Sequence, residues 1–381
     1  MRLAIFFLLS IAPLFGEKSL EPLFHSTLDF YGKLLRTENG MYRDAYELDG
    51  EQSKRCSTAA VGVGLIALCM DHELGRDPQA NKKALQTLRA INGKVAGFQI
   101  DREPTGYFRH FFQSDTGKGT SEFSTIDTAI MMIGAQFCGN HFGDLQIKTE
   151  VEELWKSISW SRALAAPEGS KLHMVIENGK PKPRTVTILF NEYYLLAKLI
   201  SQEQTLSINE LPTLNQGGLI LLSEPRQTPQ SSFTIQFPFY LSPDPILTKF
   251  ARAQALADYR ASQKWSGEKH LWGSGAGTMP GGGYQANVFS RNPEQVISPH
   301  IIAGFIPVFP EAKNHLLKLS QDSKRGVASP VGKLLPRFSL KHPNWCAPRI
   351  EAIDYSSMLD GLAAGHPKLG MEFFKRGVKK K

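Results

Sequence analysis

Helix-type periodicity runs through most of this 381-residue chain, and this feature most limits the folds it can adopt. Near the N-terminus, Leu20, Phe24, Leu28 and Tyr31 recur at three- and four-residue steps, which places apolar side chains on one helical face. Strands and helices do not alternate as they would around a parallel sheet. The same reasoning predicts further helices over residues 56–70, 78–95, 128–138, 148–158, 191–203, 245–264, 299–305, 310–319 and 350–364.

Small residues in one of these helices suggest how the helices pack. Residues 59–68 read AAVGVGLIAL, and glycine and alanine let neighbouring helices approach closely. Asn178-Gly179 is a hairpin-turn signal between two apolar stretches, residues 172–176 and 184–189. Residues 204–244 are rich in Pro, Ser and Thr and are expected to form loops with short strands. Overall, the pattern indicates a mainly α fold: a closed ring of helical hairpins with its loops at one mouth.

The N-terminus reads as a targeting segment. One basic residue is followed by an apolar run that ends near Gly16, which is the layout of a secretory signal peptide. We therefore expect residues 1–16 to be a signal peptide and residues 17–381 to form a single domain, exported to the periplasm or secreted. The net charge of +8 lies partly in a basic C-terminal tail, and no nucleic-acid-binding motif accompanies it. The four cysteines form no Cys-x-x-Cys pair, so buried free thiols are the simplest expectation.

The glycine-rich segment 270–284, HLWGSGAGTMPGGGY, predicts a binding loop. Glycine lets the backbone approach a ligand, while Trp272 and Tyr284 supply flat apolar faces. A sugar ring has an apolar face and a polar edge, so this segment suits a carbohydrate site in which both aromatic rings stack on sugars. A purely structural loop is the alternative.

Two acidic residues with aromatic neighbours are candidates for catalysis. Glu192 lies in LFNEYYLL, where Phe190 and Tyr193 would desolvate its carboxyl group and raise the pKa, as a general acid requires. Asp354 precedes a tyrosine at the start of a predicted helix. The alternatives are a first-turn glutamate for Glu192 and a helix cap for Asp354. Hydrolysis of a glycosidic bond needs two carboxyl groups, and a ring of helices can bring these two to one mouth.

Five segments share a pattern with one known group of proteins: residues 124–134, 191–196, 258–262 with Trp272-Gly273, 280–284 with 297–310, and 352–354. On these segments the chain resembles the bacterial glucoamylase-like glycoside hydrolases, which have an (α/α)6 toroid fold and include β-1,2-glucan-cleaving enzymes. The likeness covers residues 106–377. The chain departs from the usual pattern after Asp354, where Tyr-Ser-Ser replaces the usual Gln-Gly and no Glu-Asn follows.

The resemblance implies an (α/α)6 toroid and an exported glycoside hydrolase that acts on a glucan or another oligosaccharide. Glu192 would protonate the leaving oxygen, and Asp354 would serve as base or nucleophile. Asp127 and Glu122, which flank a helix start, would bind sugar hydroxyls or substitute for one of the catalytic pair. Tyr259 would belong to the substrate loop. No metal or organic cofactor is required, and the expected state is a monomer whose partner is a glycan. A non-catalytic carbohydrate-binding toroid and a polysaccharide lyase are the rival hypotheses.

Overall fold

The computed structural model describes residues 19–165, 171–183, 186–188, 191–203, 222–223, 228–242 and 244–378. The predicted signal peptide lies outside these ranges. Helices make up about half of the described residues and the strands are few and short, which confirms the mainly α fold. The helices are α1 (Glu21–Asp29), α2 (Thr58–Glu73), α3 (Ala80–Ile91), α4 (Thr125–Phe142), α5 (Leu145–Lys156), α6 (Tyr194–Glu203), α7 (Phe233–Leu241), α8 (Ile246–Ser266), α9 (Pro299–Gly304), α10 (Glu311–Gln321), α11 (Ala352–Ala364) and α12 (Gly370–Val378).

The strands are short and form small antiparallel ladders between the helices. β1 pairs with β15, β2 with β3, β5 with β8, β9 with β10, β11 with β14 and β12 with β13, while β6 lies between β4 and β7. The strands are β1 (Ala45–Glu47), β2 (Arg55–Ser57), β3 (Phe111–Gln113), β4 (Phe123–Ser124), β5 (Lys171–His173), β6 (Val175–Glu177), β7 (Lys180–Pro181), β8 (Val186–Ile188), β9 (Leu222–Ser223), β10 (Thr228–Pro229), β11 (Val296–Ile297), β12 (Val327–Ser329), β13 (Gly332–Leu334), β14 (Phe338–Ser339) and β15 (Arg349–Glu351).

Glycine brings the inner helices together. A Cβ atom on Gly134 of α4 would lie 2.2 Å from the carbonyl oxygen of Gly62 on α2, so neither position has room for a side chain. A Cβ on Gly361 of α11 would similarly lie 1.9 Å from the carbonyl oxygen of Ala303 on α9. These four helices are buried along nearly their whole length, whereas α3, α5 and α10 bury one face each. This inner and outer arrangement is that of the expected toroid of helical hairpins.

Residues near the two ends of the chain meet at one mouth of the ring. Ala45 of β1 pairs with Glu351 of β15, and the carbonyl oxygen of Asp44 accepts a 2.7 Å hydrogen bond from the amide of Ala352. The hydroxyl of Tyr31 also donates to the carbonyl oxygen of Ala352. The start of α11 is therefore fixed by residues from the first eighth of the chain.

Local sequence signals predicted one tight turn correctly and one loop segment wrongly. Asn178 and Gly179 both adopt positive φ in the tight turn between β6 and β7, as the hairpin signal predicts. The expectation of loops over 204–244 fails at Phe233–Leu241, which forms α7 despite Pro238 inside it. Most residues of α7 are buried, so burial of apolar side chains outweighs the helix-breaking signal. None of the helices within the described ranges has both the length and the apolar character to cross a membrane.

Candidate active site

Glu192 lies in the turn that leads into α6. The amide of Tyr194 donates to the carbonyl oxygen of Asn191, and the amide of Leu195 donates to that of Glu192. The turn carries the Glu192 side chain into a buried environment, where its Oε2 atom has no hydrogen-bond partner. Burial, reinforced by the negative charge of Asp127, raises the pKa of Glu192 to about 7. A carboxyl group with this pKa keeps its proton at pH values well above those at which a glutamate normally ionises.

Asp127 belongs to a hydrogen-bonded group at the start of α4. Ser124 caps the helix: its side chain accepts from the amide of Asp127, and its hydroxyl donates to the Asp127 carboxyl group. His110 lies between two acids, with Nε2 3.6 Å from Asp127 and Nδ1 2.9 Å from Glu122. Burial alone would lower the pKa of His110, but the charges of both acids outweigh it and raise the pKa. His110 therefore provides a positive charge between these carboxyl groups when it is protonated.

Asp354 lies in the first turn of α11, three residues after β15 ends at Glu351. The hydroxyl of Tyr284 donates a 3.0 Å hydrogen bond to Oδ1, whereas Oδ2 is buried without a partner. Burial and the nearby charge of Glu351 raise the pKa of Asp354 to about 8, against the opposing influence of Arg337 and Tyr284. Glu351 occupies the N-cap position, so capping does not explain the aspartate.

Arg337 and Glu351 fix the glycine-rich loop beside Asp354. The Arg337 guanidinium donates to the carbonyl oxygens of Gly275 and Thr278 and to the hydroxyl of Ser298. Glu351 accepts from both the amide and the hydroxyl of Thr278. Glu351 is buried, and its carboxyl group anchors this loop.

Asp44 lies between the two acidic groups. Its charge contributes to the raised pKa values of both Asp127 and Asp354, so it lies within electrostatic range of each. Arg55 neutralises it through a 2.5 Å contact with its carboxyl group and also lies over the ring of Phe111. The structure therefore brings the regions of Asp127 and Asp354 to the same mouth, with one acid–base pair between them.

One property distinguishes the two predicted catalytic residues from the other acids. Among the carboxyl groups of the residues that the structure describes, only Glu192 and Asp354 have a fully buried oxygen without a hydrogen-bond partner. Leaving such an oxygen unpaired costs roughly 1–3 kcal/mol. Unpaired polar atoms in otherwise well-paired interiors are places where a substrate or water can bind.

The predicted aromatic binding residues have different environments. Trp272 is fully buried, its indole nitrogen donates to His315, and its ring packs near Tyr259 and Phe309. Stacking of Trp272 on a sugar is therefore wrong for this structure, because no face of the ring is accessible. Tyr259 packs in the same aromatic cluster and stacks on His315, so it is a half-buried residue at the edge of the core. Tyr284 instead has 58% of its side-chain area exposed while its hydroxyl reaches Asp354.

Several residues at this mouth could not be identified from local sequence. Asp44, Arg55, His110 and Arg337 carry no motif, and they approach the acids through contacts between distant segments. The one available signal was His110 in the aromatic segment 107–112, where it stacks on Phe111. Across the described ranges, no group of three or more histidine, cysteine, aspartate or glutamate side chains is arranged to hold a metal ion.

Comparisons with known proteins agree on the fold. No protein-family model matches the chain, and no curated protein matches it at a significant level. An endo-β-1,2-glucanase from Chitinophaga pinensis, solved with sophorotriose and glucose, superposes with a TM-score of 0.78 at 17% identity, over 94% of this chain and 96% of that one. A protein from Bacteroides fragilis provisionally named a glucoamylase gives 0.77 at 16% identity, over 97% of both chains.

A β-1,2-glucanase from Parabacteroides distasonis gives a TM-score of 0.76 at 15% identity and covers 94% of this chain, which spans only 59% of that larger protein. At such low identities, structural similarity establishes the fold, whereas chemistry must be argued from the site. The resemblance predicted from sequence is confirmed at that level: this chain has the toroid fold seen in glucoamylase-like proteins and β-1,2-glucanases.

Proposed function

We propose that this protein is a glycoside hydrolase that cleaves a glucan, with β-1,2-glucan as the first substrate to test. The observation that carries the proposal is the pair of buried, unpartnered carboxyl oxygens on Glu192 and Asp354. The fold is shared with enzymes named as β-1,2-glucanases, which favours this substrate class. Hydrolysis also suits the residues available, because two carboxyl groups suffice for it.

Each carboxyl group has a defined part in the proposed reaction. Glu192 donates its proton to the glycosidic oxygen as the bond from that oxygen to the anomeric carbon breaks. Asp354 removes a proton from water, and the water oxygen bonds to the anomeric carbon. One molecule of water is consumed for each bond cleaved. Glu192 ends ionised and Asp354 ends protonated, and exchange with solvent restores both.

The pKa values of the two acids bear on this assignment. The pKa of Asp354 is raised to about 8 and that of Glu192 to about 7, so the unliganded site does not by itself favour Asp354 as the ionised partner. Two contacts support its role as base: the Tyr284 hydroxyl and the Arg337 charge both stabilise the Asp354 anion. Glu192 has no such side-chain donor among the causes of its shift. We therefore assign the role of general acid to Glu192.

A leaving-group experiment tests the assignment of roles. In an aryl glucoside with an acidic phenol, the phenol leaves without needing to be protonated. Glu192→Gln should therefore retain far more activity on this substrate than on a glucan. Asp354→Asn should lose activity on both substrates. The reverse pattern would exchange the two roles while leaving the hydrolase proposal intact.

The reaction class is tested by incubating residues 17–381 with neutral and acidic glycans, β-1,2-glucan included, while following reducing ends and ultraviolet absorbance together. Reducing ends without absorbance, lost in Glu192→Gln and Asp354→Asn, are the expected result. The matched control is Glu152→Gln, because Glu152 is exposed on α5 and pairs only with Lys156 in the contacts described. Absorbing products would indicate a lyase, and glycan binding without products would indicate a non-catalytic protein.

Export is part of the same proposal, because the N-terminal pattern is that of a signal peptide. Expression of the full chain in a bacterium, followed by mass analysis of the purified protein, should give a mature N-terminus near Glu17. A protein that keeps Met1 and stays in the cytoplasm would contradict export without affecting the catalytic proposal.

A further inference from the structure

A cavity borders the glycine-rich loop, and one of its lining residues is Tyr284, the hydrogen-bond donor to Asp354. It measures about 630 Å³, within the usual range for small-molecule sites. One wall is the turn containing Gly281 and Gly282, and the opposite wall carries Glu294, His342 and Trp345. None of the last three residues belongs to the carboxyl groups described above, and the sequence pattern had not singled them out.

Both walls of this cavity are held by hydrogen bonds. In the glycine turn, the amide of Met279 donates to Gly283 and the amide of Gly282 donates to Met279. A Cβ on Gly281 or Gly282 would meet no atom within 4 Å, so the turn borders open space. The cavity is therefore a built recess and does not depend on the position of one side chain.

The opposite wall is also well ordered by its contacts. The hydroxyl of Ser339 on β14 donates to the carbonyl oxygen of Glu294, and the amide of Trp345 donates to that of His342. The carboxyl group of Glu294 binds His342 at 2.7 Å and Lys341 at 3.1 Å. These polar groups lie at the edge of the recess, where they can reach hydroxyl groups of a ligand.

Tyr284 connects this recess to the candidate catalytic residues. Its exposed ring lines the recess, while its hydroxyl donates to Asp354. Trp345 is half-buried and, unlike Trp272, is not part of the hydrophobic core. Two aromatic rings and a polar edge match the apolar face and hydroxyl rim of a pyranose ring. The near-balanced charges of Glu294, His342 and Lys341 suit an uncharged sugar better than an acidic one.

We propose that this recess is a binding subsite for a neutral hexopyranose unit of the substrate chain, with Trp345 as its stacking platform. The inference rests on the proposed function in one respect: the unit occupying the recess belongs to the chain that Glu192 and Asp354 cleave. It predicts that the protein prefers glucans long enough to extend past Tyr284, and that Trp345 determines this preference.

The test compares Trp345→Ala and Trp345→Phe with the parent protein on β-1,2-linked glucooligosaccharides, from the disaccharide upwards. Trp345→Ala should raise KM for long chains about tenfold and leave the shortest cleaved chain unaffected, since one stacking contact is worth roughly that factor. Trp345→Phe, which keeps an aromatic face, should lie between. Trp155→Ala is the control, because Trp155 is also half-buried but stacks on Trp160 away from the recess.

Calorimetric binding in the Glu192→Gln background separates this inference from the proposed function. Affinity for long oligosaccharides that falls with Trp345→Ala, together with a parent protein that shows no turnover, would retain the subsite and reject the hydrolase. Turnover whose dependence on chain length is the same in Trp345→Ala would reject the subsite and retain the hydrolase. Absence of both turnover and binding would overturn both proposals.

Discussion

Asp258 and Asp354 are both buried aspartates, yet their surroundings differ. Asp258 on α8 accepts four hydrogen bonds, two from Ser274 and one each from Ser232 and Ser262. Asp354 accepts one, from Tyr284, and leaves an oxygen unpaired. A fully paired buried acid fixes the chain around it, whereas a partly paired one weakens the fold unless a ligand completes it. We therefore expect Asp258 to stabilise the fold, and this contrast supports the proposal that Asp354 acts in catalysis.

The largest expected effect concerns the two candidate catalytic residues, Glu192 and Asp354. Glu192→Gln and Asp354→Asn should each reduce kcat by about 10²–10⁴-fold, the usual contribution of a positioned acid or base. Thermal unfolding should occur at the parent temperature or above it, because each change removes a buried ionisable group that lacks a full set of partners. Steady-state rates and differential scanning calorimetry measure the two effects. A large fall in stability with a small change in kcat would place these residues with Asp258 instead.

The next effect concerns the aromatic core beside Asp258. Trp272→Ala should lower the free energy of unfolding by about 3–5 kcal/mol, as for other fully buried large aromatic residues. Kinetic constants per folded molecule should change little, since the ring has no accessible face. Urea unfolding and activity corrected for the folded fraction test this. Loss of glycan affinity without loss of stability would instead support the role predicted from sequence, in which Trp272 stacks on a sugar.

A smaller effect is expected at Asp258 itself. Asp258→Asn places an amide nitrogen against hydroxyl and amide donors, so at least one donor loses its acceptor at a cost of roughly 1–3 kcal/mol. The measurement is again urea unfolding, with Asp49→Asn at an exposed position as the matched control. Equal stabilities for the two variants would show that the Asp258 hydrogen bonds contribute little.

The smallest effect is a shift in pH dependence. With pKa values of about 7 for Glu192 and about 8 for Asp354, the state holding one proton between them is most populated between these values. Activity should fall at lower pH, where the base is protonated, and at higher pH, where the acid has lost its proton. Tyr284→Phe removes a donor that lowers the pKa of Asp354, so the alkaline limb of kcat/KM should move upward. An unchanged alkaline limb would show that the ionisation of Asp354 does not determine the pH profile.

Parts of the fold were readable from sequence because their signals are local. The glycines of α2, the Ser124 cap of α4 and the Asn178-Gly179 turn each act within a few residues. Glu192 and Asp354 were selected because aromatic neighbours imply burial, and both carboxyl groups are indeed buried. Their roles in catalysis remain predictions.

Other parts depend on contacts that local patterns do not contain. Trp272 resembles a sugar platform in sequence, but His315 and Phe309 from later segments enclose it. Asp44 reaches the site because β1 pairs with β15, and Trp345 lines a recess because β14 pairs with β11. In each case the decisive partner lies in a distant segment, which composition and periodicity do not identify.

The meeting of the chain ends has a consequence for how the protein acquires activity. Tyr31 and Ala352, which form a hydrogen bond, are separated by 321 positions, and Asp354 follows directly after this contact. Closing so long a loop is entropically costly, and contacts of this kind form slowly compared with local helical ones. The local contacts among α2 to α5 are expected to form early in folding, but the mouth stays incomplete until β15 and the start of α11 reach β1. Competence for catalysis should therefore appear as a late, all-or-none step of folding, after most of the helical signal has developed.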